Sequence, residues 1–255
     1  MASEQTLARA VLTSARLAAL AAVLAGRGAA RQAAAAALAG LWLYPTLRRN
    51  CAWHGPVLTS FATDSREVWL TIDDGPSGVC TEMFLEILAA EGARASFFCV
   101  GSRVARRPSL ARAVAAAGHT LENHTQTHPA GSWWAASPRR VAREISTASD
   151  TIEAATGRRP RFFRSPVGMN GPWVHRAAAR AGLRVAGWSA AGGDGCRVPP
   201  SIAAGRILDR LGPGGIVVLH EGDRPRQRAL TLRLVLEGIR ARGLRAELPG
   251  VLFSA

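Results

Sequence analysis

Two aspartates lie side by side where an apolar stretch of the chain ends. Asp73 and Asp74 follow the run 68–72, and a Gly-Pro pair comes directly after them. Glycine adopts unusual dihedral angles and proline donates no hydrogen bond, so the strand ends here and both carboxylates can point into one pocket. Two like charges this close raise one pKa unless a cation lies nearby. The pair therefore indicates a metal site with one aspartate as ligand and the other as base, although a solvated turn has the same pattern.

Two histidines four residues apart supply further ligands. His124 and His128 lie in the segment His-Thr-Gln-Thr-His-Pro, and on a helical turn their Cβ atoms would be about 5–6 Å apart. Neutral imidazoles at that spacing can bind one metal, and Asp74 would add an oxygen ligand. Two nitrogens, one oxygen and an open position are typical of a catalytic metal rather than a structural one. The alternative is a helix N-terminus that carries two surface histidines.

Three more polar residues follow apolar runs. Arg164 ends a predicted strand, Asp194 lies in a Gly-rich loop after the next one, and His220 follows the run 216–219. Arg164 could hold a carboxylate through two parallel hydrogen bonds, or it could be one surface arginine among many. A lone histidine after an apolar strand is usually structural. Here every candidate lies at the C-terminal end of a strand, where α/β folds form active sites.

Composition bounds the fold and the partners. The chain has 255 residues, 48% of them hydrophobic, which suits one large α/β domain. Its net charge is +14 and its 32 basic residues are all arginine, but they are scattered and form no nucleic-acid-binding motif. The four cysteines, Cys51, Cys80, Cys99 and Cys196, have no CxxC spacing. We therefore expect reduced thiols and no nucleic-acid partner.

Alternation of short apolar runs with helical stretches predicts a βα-repeat fold from residue 67 onward. The predicted strands span 68–72, 95–100, 119–123, 161–164, 183–189, 216–219 and 251–253. The predicted helices span 80–91, 108–117, 141–155, 173–181, 202–211 and 226–242.

The first 50 residues differ in composition from the rest. Two Ala-rich apolar stretches flank a basic turn, which predicts two short helices as a segment 1–50 before a catalytic domain 51–255. Arginines interrupt the first stretch, and neither stretch predicts a membrane span. The composition leaves two possibilities open. The segment could associate with a membrane surface, which would place the protein at the cell envelope, or it could pack on the catalytic domain of a cytoplasmic protein. We expect this segment to be dispensable for chemistry.

Taken together, these motifs resemble those of the polysaccharide deacetylase family, carbohydrate esterase family 4, whose catalytic unit is the NodB homology domain. The similar segments begin at Thr71, His124, Arg164, Trp188 and Ile216 and extend from Val68 to the C-terminus. The resemblance implies a distorted (β/α) barrel of about seven strands. It also implies metal-dependent hydrolysis of N-acetyl or related acyl groups on an amino sugar of a polysaccharide, an oligosaccharide or a lipid-linked glycan.

The resemblance also assigns roles by position. Asp73 would be the general base, and Asp74, His124 and His128 would bind one divalent metal, with zinc the first choice. Arg164 would orient Asp73, and Asp194 would orient His220 as the general acid. The backbone N–H of Val167 would hold the oxyanion, and Leu219 would form a wall of the acyl pocket.

Two departures concern the substrate. Relatives often carry aromatic residues where this chain has Val167 and Gly195, which favours a short or lipid-linked substrate over a long polymer. Two other classes of protein fit parts of the pattern. A non-catalytic sugar- or lipid-binding member would keep the fold, and a non-haem iron oxygenase would share the two-histidine, one-carboxylate set.

Overall fold

The computed structural model describes the chain from Ala2 to Phe253, with side chains from Thr6 onward. Within that range it contains eight strands and ten α-helices. The strands are β1 Glu67–Gly75, β2 Ala95–Cys99, β3 Thr120–Asn123, β4 Phe162–Phe163, β5 Arg184–Val185, β6 Ala190–Ala191, β7 Ile216–His220 and β8 Arg245–Ala246. The helices are α1 Ala2–Ala25, α2 Gly28–Leu47, α3 Val79–Ala90, α4 Gly101–Arg106, α5 Pro108–Ala116, α6 Pro138–Thr156, α7 Val174–Arg180, α8 Pro200–Leu208, α9 Pro225–Ala241 and α10 Gly250–Phe253.

The strands form one parallel sheet in the order β5-β4-β3-β2-β1-β7-β6, and β8 pairs with the start of β1. Among residues 2–253 no pairing joins β5 to β6, so the sheet curls without closing. Helices cover its outer face, as parallel strands require. The predicted distorted (β/α) barrel with about seven strands and an N-terminal helical segment is confirmed.

The central strand β1 separates two cores by the alternation of its side chains. Trp69 packs on the inner side against aromatic rings of β2 and β4, while Leu70 and Ile72 belong to the outer core under the helices. Asp73 therefore points to the inner side, and its Cα pairs in register with that of His220 on β7. This register brings two of the candidate residues to the same end of the barrel.

Several predicted elements differ from the observed ones. The residues predicted as a last strand, 251–253, form part of α10 instead, and the short strand β8 precedes them. Helix α4 was not predicted, because it has only six residues and follows β2 directly. The predicted strand 183–189 contains only the two-residue β5, and β6 lies inside the predicted Gly-rich loop.

The N-terminal helices are longer than predicted and form an antiparallel hairpin, which we call the N-terminal hairpin (residues 2–47). Nη2 of Arg16 on α1 donates to the carbonyl of Leu41 on α2 at 2.9 Å, and its guanidinium lies 3.8 Å from the ring centroid of Trp42. Large apolar side chains remain exposed on both helices. They are Leu7, Val11, Leu17, Leu20, Leu24, Trp42, Leu43, Tyr44 and Leu47.

By length and composition, the part of α1 from Thr6 to Ala25 could cross a membrane, with a mean hydropathy of 1.6 and 6% of it buried. The sequence alone predicts no membrane span, because arginines interrupt this stretch, and the finding rests on length and composition. A signal sequence or a core helix can meet the same criterion, so this remains weak support for a span.

The end of α2 and the residues that follow it contact the barrel. Thr46 is buried and its hydroxyl lies 3.2 Å from His54 Nε2, and the N–H of Asn50 donates to the carbonyl of Gly168 at 3.1 Å. The segment is therefore attached to the loop after β4 rather than loosely tethered. The division of the chain into residues 1–50 and 51–255 stays a prediction.

Candidate active site

The C-terminal ends of β1, β3, β4 and β7 surround a cavity of about 220 Å³. Of the nine candidate residues, six line it directly, namely Asp73, Asp74, His124, His128, Val167 and His220. Arg164 and Asp194 are buried and bonded to two of these six. The other lining residues are Arg49, Gly168, Trp188, Ala191, Gly193, Gly195, Cys196 and Val218.

The backbone around this cavity adopts uncommon conformations. Positive φ angles occur at Asp74 (72°), Thr125 (66°), His128 (52°) and Val167 (57°). Such angles are uncommon for residues with a Cβ, and they are rarest for a β-branched residue such as Val167. Uncommon dihedral angles concentrate at binding and catalytic sites, which supports a functional assignment of this region.

The two histidines lie in a loop, so the predicted helical turn is wrong. Thr125 holds this loop, because its N–H donates to Asn123 Oδ1 at 2.9 Å and its hydroxyl accepts from the N–H of His128 at 3.1 Å. The rings of His124 and His128 still approach each other, with centroids 4.8 Å apart. A positive φ at two positions replaces the helical geometry and brings both imidazoles to the same side.

Asp74 and the two imidazoles converge on a common point. Oδ1 of Asp74 lies 3.3 Å from His128 Nε2 and 3.9 Å from His124 Nε2, and one ligand atom from each residue lies within 4.8 Å of the others. Nδ1 of His124 lies 2.8 Å from the carbonyl of Arg164. Because a carbonyl only accepts, Nδ1 carries the proton and Nε2 keeps its lone pair for a cation.

The protonation states suit a metal site. Burial, together with the neighbouring His124, lowers the pKa of His128 to about 4, so its imidazole is neutral at pH 7. Burial alone would raise the pKa of Asp74, but His124, His128, His220 and Arg103 outweigh it and lower that pKa.

One atom of this group lacks any hydrogen bond. Oδ1 of Asp74 is buried and has no hydrogen-bond partner in the part of the chain whose side chains are described, residues 6–253. A buried carboxylate oxygen without a partner is costly, and a cation would remove that cost. The three residues therefore fit a divalent metal with nitrogen and oxygen ligands.

The second aspartate is held by a buried arginine. Nη1 of Arg164 donates to Asp73 Oδ1 at 2.6 Å and to Thr71 Oγ1 at 2.7 Å, while Nη2 donates to the carbonyl of Gly187 at 2.7 Å. Arg164 thus holds the carboxylate through one nitrogen, and the expected two-bond grip is absent. Oδ2 of Asp73 remains on the side of His124, whose Nε2 lies 3.9 Å away.

His220 is paired with Asp194 at the C-terminal end of β7. Its Nδ1 lies 3.0 Å from Asp194 Oδ1, and its backbone N–H donates to Asp194 Oδ2 at 2.7 Å. Burial lowers the pKa of His220, but the carboxylates of Asp194, Asp73 and Asp74 outweigh it and raise this pKa to about 9. The ring is therefore protonated at neutral pH, with Nε2–H as the donor that Asp194 does not use.

The assignment of Leu219 to the acyl pocket is wrong. Leu219 is 1% exposed and belongs to the outer core beneath the helices, whereas Val218 lines the cavity. Successive side chains of a strand point to opposite faces, so the residue that shares a face with His220 is two positions before it. Counting by two from His220 would have found Val218 in the sequence.

Two further lining residues were missed as contributors to the cavity. Trp188 packs against Gly168, where an added Cβ would lie 2.6 Å from its ring, and so it supplies an aromatic wall. Arg49 reaches the cavity from the segment that was expected to be dispensable. Trp133 is buried, and Trp134 and Trp173 are exposed but do not line the cavity.

Comparisons with known proteins agree with this arrangement. The family model described as polysaccharide deacetylase matches residues 61–186 and ends before Asp194 and His220. A chitooligosaccharide deacetylase from Bradyrhizobium sp. is 38% identical over 162 residues, which is 63% of this chain and 73% of that protein. A peptidoglycan-N-acetylglucosamine deacetylase from Bacillus cereus is 28% identical over 202 residues, covering 78% of this chain and 93% of that protein.

A solved structure is also similar. The family 4 carbohydrate esterase from Streptomyces lividans, determined in complex with acetate, has a TM-score of 0.66 and 30% sequence identity. The similarity covers 71% of this chain and 92% of that one. Fold and sequence similarity thus point to the same group of proteins as the motifs.

Proposed function

This chain belongs to the polysaccharide deacetylase family, and on that premise we propose that it is a carbohydrate deacetylase acting on the N-acetyl, or a related acyl, group of an amino sugar. The observation that carries the proposal is the convergence of Asp74, His124 and His128 on one point, with Asp73 and His220 lining the same cavity. All the groups that amide hydrolysis needs are present. A non-catalytic member would not need Asp73, Arg164, Asp194 and His220 all in place, and the acid–base pair has no use in an oxygenase.

We propose Zn²⁺ as the metal, since two imidazoles and a carboxylate with an open position are a common catalytic zinc set. When bound, the cation supplies a Lewis acid that activates water and polarises the amide carbonyl. His124 would be held for this task through Nδ1, by the carbonyl of Arg164, and His128 is already neutral at pH 7.

The side chains would then divide the proton transfers between them. Asp73 would accept the proton of the attacking water at Oδ2, because Arg164 occupies Oδ1. The backbone N–H of Val167 would stabilise the oxyanion. His220, kept protonated by Asp194, would donate its Nε2 proton to the leaving amine as the carbon–nitrogen bond breaks. Water and the amide are thereby converted to acetate and a free amino sugar.

The relatives named above act on chitooligosaccharides and peptidoglycan, and we propose a short or lipid-linked amino sugar for this chain. Val167 and Gly195 leave two sides of the cavity without aromatic rings, so additional sugar units would gain little binding energy. Trp188 supplies one aromatic wall inside a cavity of about 220 Å³, which suits a single sugar ring. Rates that rise steeply from the N-acetylated dimer to the pentamer would contradict this preference.

We also propose that the N-terminal hairpin lies on an anionic membrane surface. Its exposed leucines and aromatic residues are joined by four arginines, and residues 6–47 contain no aspartate or glutamate. Apolar and basic groups on one segment are what binding to anionic lipid requires. The active site would then open close to that surface.

The direct test of the proposed activity is acetate release from N-acetylated chitooligosaccharides. We expect metal-free protein to be inactive and to regain activity when one equivalent of Zn²⁺ is added. The reaction should not need oxygen. Sugar binding without acetate release would instead establish the non-catalytic alternative, and an oxygen-dependent product would establish the oxygenase.

A further inference from the structure

Arg49 is fixed at the edge of the cavity by backbone contacts. It forms an antiparallel bridge with Met169, and the N–H of Asn50 donates to the carbonyl of Gly168 at 3.1 Å. Nδ2 of Asn50 donates to the carbonyl of Trp188 at 3.0 Å. Two loops that form the cavity therefore position Arg49, which lies two residues after the hairpin and is itself a lining residue.

The other arginines near the site are already committed. Arg164 is fully buried and bonded to Asp73, and Arg228 lies 3.6 Å from Asp194 Oδ2. Arg103 donates to the backbone carbonyl of Asp74. Arg49, in contrast, is exposed and makes no ion pair or side-chain hydrogen bond with any of the side chains that the structure describes, residues 6–253. Among the described residues, the guanidinium of Arg49 therefore lines the cavity without a partner for its charge.

We infer that Arg49 binds an anionic group of the amino-sugar substrate, a phosphate or a carboxylate, and so selects charged substrates over neutral ones. The inference rests on the proposed function, since it concerns the same cavity. The planar guanidinium presents paired N–H donors that match the oxygens of either group. With no aromatic ring at positions 167 and 195, this charge and the ring of Trp188 are the features of the cavity wall that can hold a substrate substituent away from the reacting amide.

Three ligands that differ in one group test the inference. N-acetylglucosamine 1-phosphate carries a phosphate, N-acetylmuramic acid carries a carboxylate, and N-acetylglucosamine is neutral. Zinc-loaded wild type is compared with Arg49→Gln and Arg49→Lys. The matched control is Arg48→Gln, because Arg48 is the neighbouring exposed arginine, lies outside the cavity lining and donates to the hydroxyl of Tyr44 instead.

Arg49→Gln should lower kcat/KM about tenfold to a hundredfold on at least one anionic ligand and less than about threefold on the neutral one. Arg49→Lys should recover most of this loss, and Arg48→Gln should resemble the wild type. The ligand that shows the loss identifies the anion as phosphate or carboxylate. Equal losses on all three ligands, or none on any, would overturn the inference.

A binding measurement separates this inference from the proposed function. Calorimetric titration of metal-free wild type and Arg49→Gln, in which no turnover interferes, should show a loss of affinity for the anionic ligand that shows the kinetic loss and little change for the neutral one. Equal affinities of the two proteins for that anionic ligand would overturn the role of Arg49. Failure of the zinc-loaded wild type to release acetate from any ligand would overturn the proposed function instead.

Discussion

Replacing Asp194 by asparagine should move the basic limb of the pH–rate profile to lower pH. The Asp194 carboxylate lies 3.0 Å from Nδ1 of His220 and is the strongest of the groups that raise the pKa of this ring to about 9. Asparagine keeps the shape and one acceptor oxygen but removes the charge. Burial, which lowers the pKa of the ring, then acts with less opposition.

The size of the effect follows from the ordinary pKa of histidine, about 6.5. At pH 8, a group with a pKa of about 9 is roughly 90% protonated, whereas one with a pKa of about 6.5 is roughly 3% protonated, so kcat/KM should fall about thirtyfold. Because the pKa of His220 is higher in the folded chain than in the unfolded one, its ion pair with Asp194 also stabilises the metal-free fold. That contribution is complete below pH 6.5 and is lost as the pH rises through about 9.

The assay is the pH dependence of kcat/KM for acetate release by zinc-loaded protein between pH 5 and pH 10. A bound cation offsets part of the effect of Asp73 and Asp74, so the wild-type limb should lie somewhat below 9. The matched control is Asp223→Asn, since Asp223 is highly exposed and approaches Arg228 rather than His220. The same basic limb in Asp194→Asn and wild type would refute the role of His220 as the acid that Asp194 keeps charged.

Three further outcomes are expected. Arg164→Leu should lower the free energy of unfolding by about 3–5 kcal/mol, since it leaves Asp73 as a buried charge without its partner, and an unchanged denaturant midpoint would contradict the buried pair. Leu219→Ala should lower the free energy of unfolding by about 2–5 kcal/mol with KM unchanged. Val218→Ala should instead alter the preference between acetyl and larger acyl groups. A change of acyl preference in Leu219→Ala but not in Val218→Ala would show that Leu219 forms the wall of the acyl pocket. Deletion of residues 2–47 should abolish binding to anionic lipid vesicles in a flotation assay, and unchanged binding would place the contact elsewhere in the chain.

Much of the site could be predicted from the sequence because of one geometric rule. In a parallel sheet the C-terminal ends of the strands meet at one edge, so polar residues just after apolar runs must gather there. The rule places Asp73, Asp74, Arg164 and His220 at one edge from the sequence alone. Asp194 also lies beside His220, although its strand was predicted too long.

The failures have equally physical reasons. A spacing of four suggested a helical turn for His124 and His128, but positive φ angles at Thr125 and His128 bring the rings together without one. Leu219 was transferred from a motif without regard to the alternation of side chains along β7. Both errors came from reading spacing alone where the backbone conformation decides the direction of a side chain.

The contribution of Arg49 had no local signal in the sequence. Its position depends on a bridge to Met169, 120 residues later, and on the docking of the hairpin onto the loop after β4. The composition changes near residue 48, which suggests a domain boundary there. In the structure, Arg49 lies at this boundary and lines the cavity. Contacts between distant residues of this kind cannot be read from periodicity or composition.

The central claim is that, of the two adjacent aspartates, Asp74 binds the metal and Asp73 acts as the general base. Zinc content measured beside acetate release tests this claim most directly. Asp73→Asn should bind one equivalent of zinc but lose at least about a hundredfold in kcat, because asparagine cannot accept the proton of water. Asp74→Asn should lose zinc affinity itself, since its orphaned Oδ1 is the proposed ligand atom. Zinc lost from Asp73→Asn and retained by Asp74→Asn would show that the two roles are exchanged and would contradict the account.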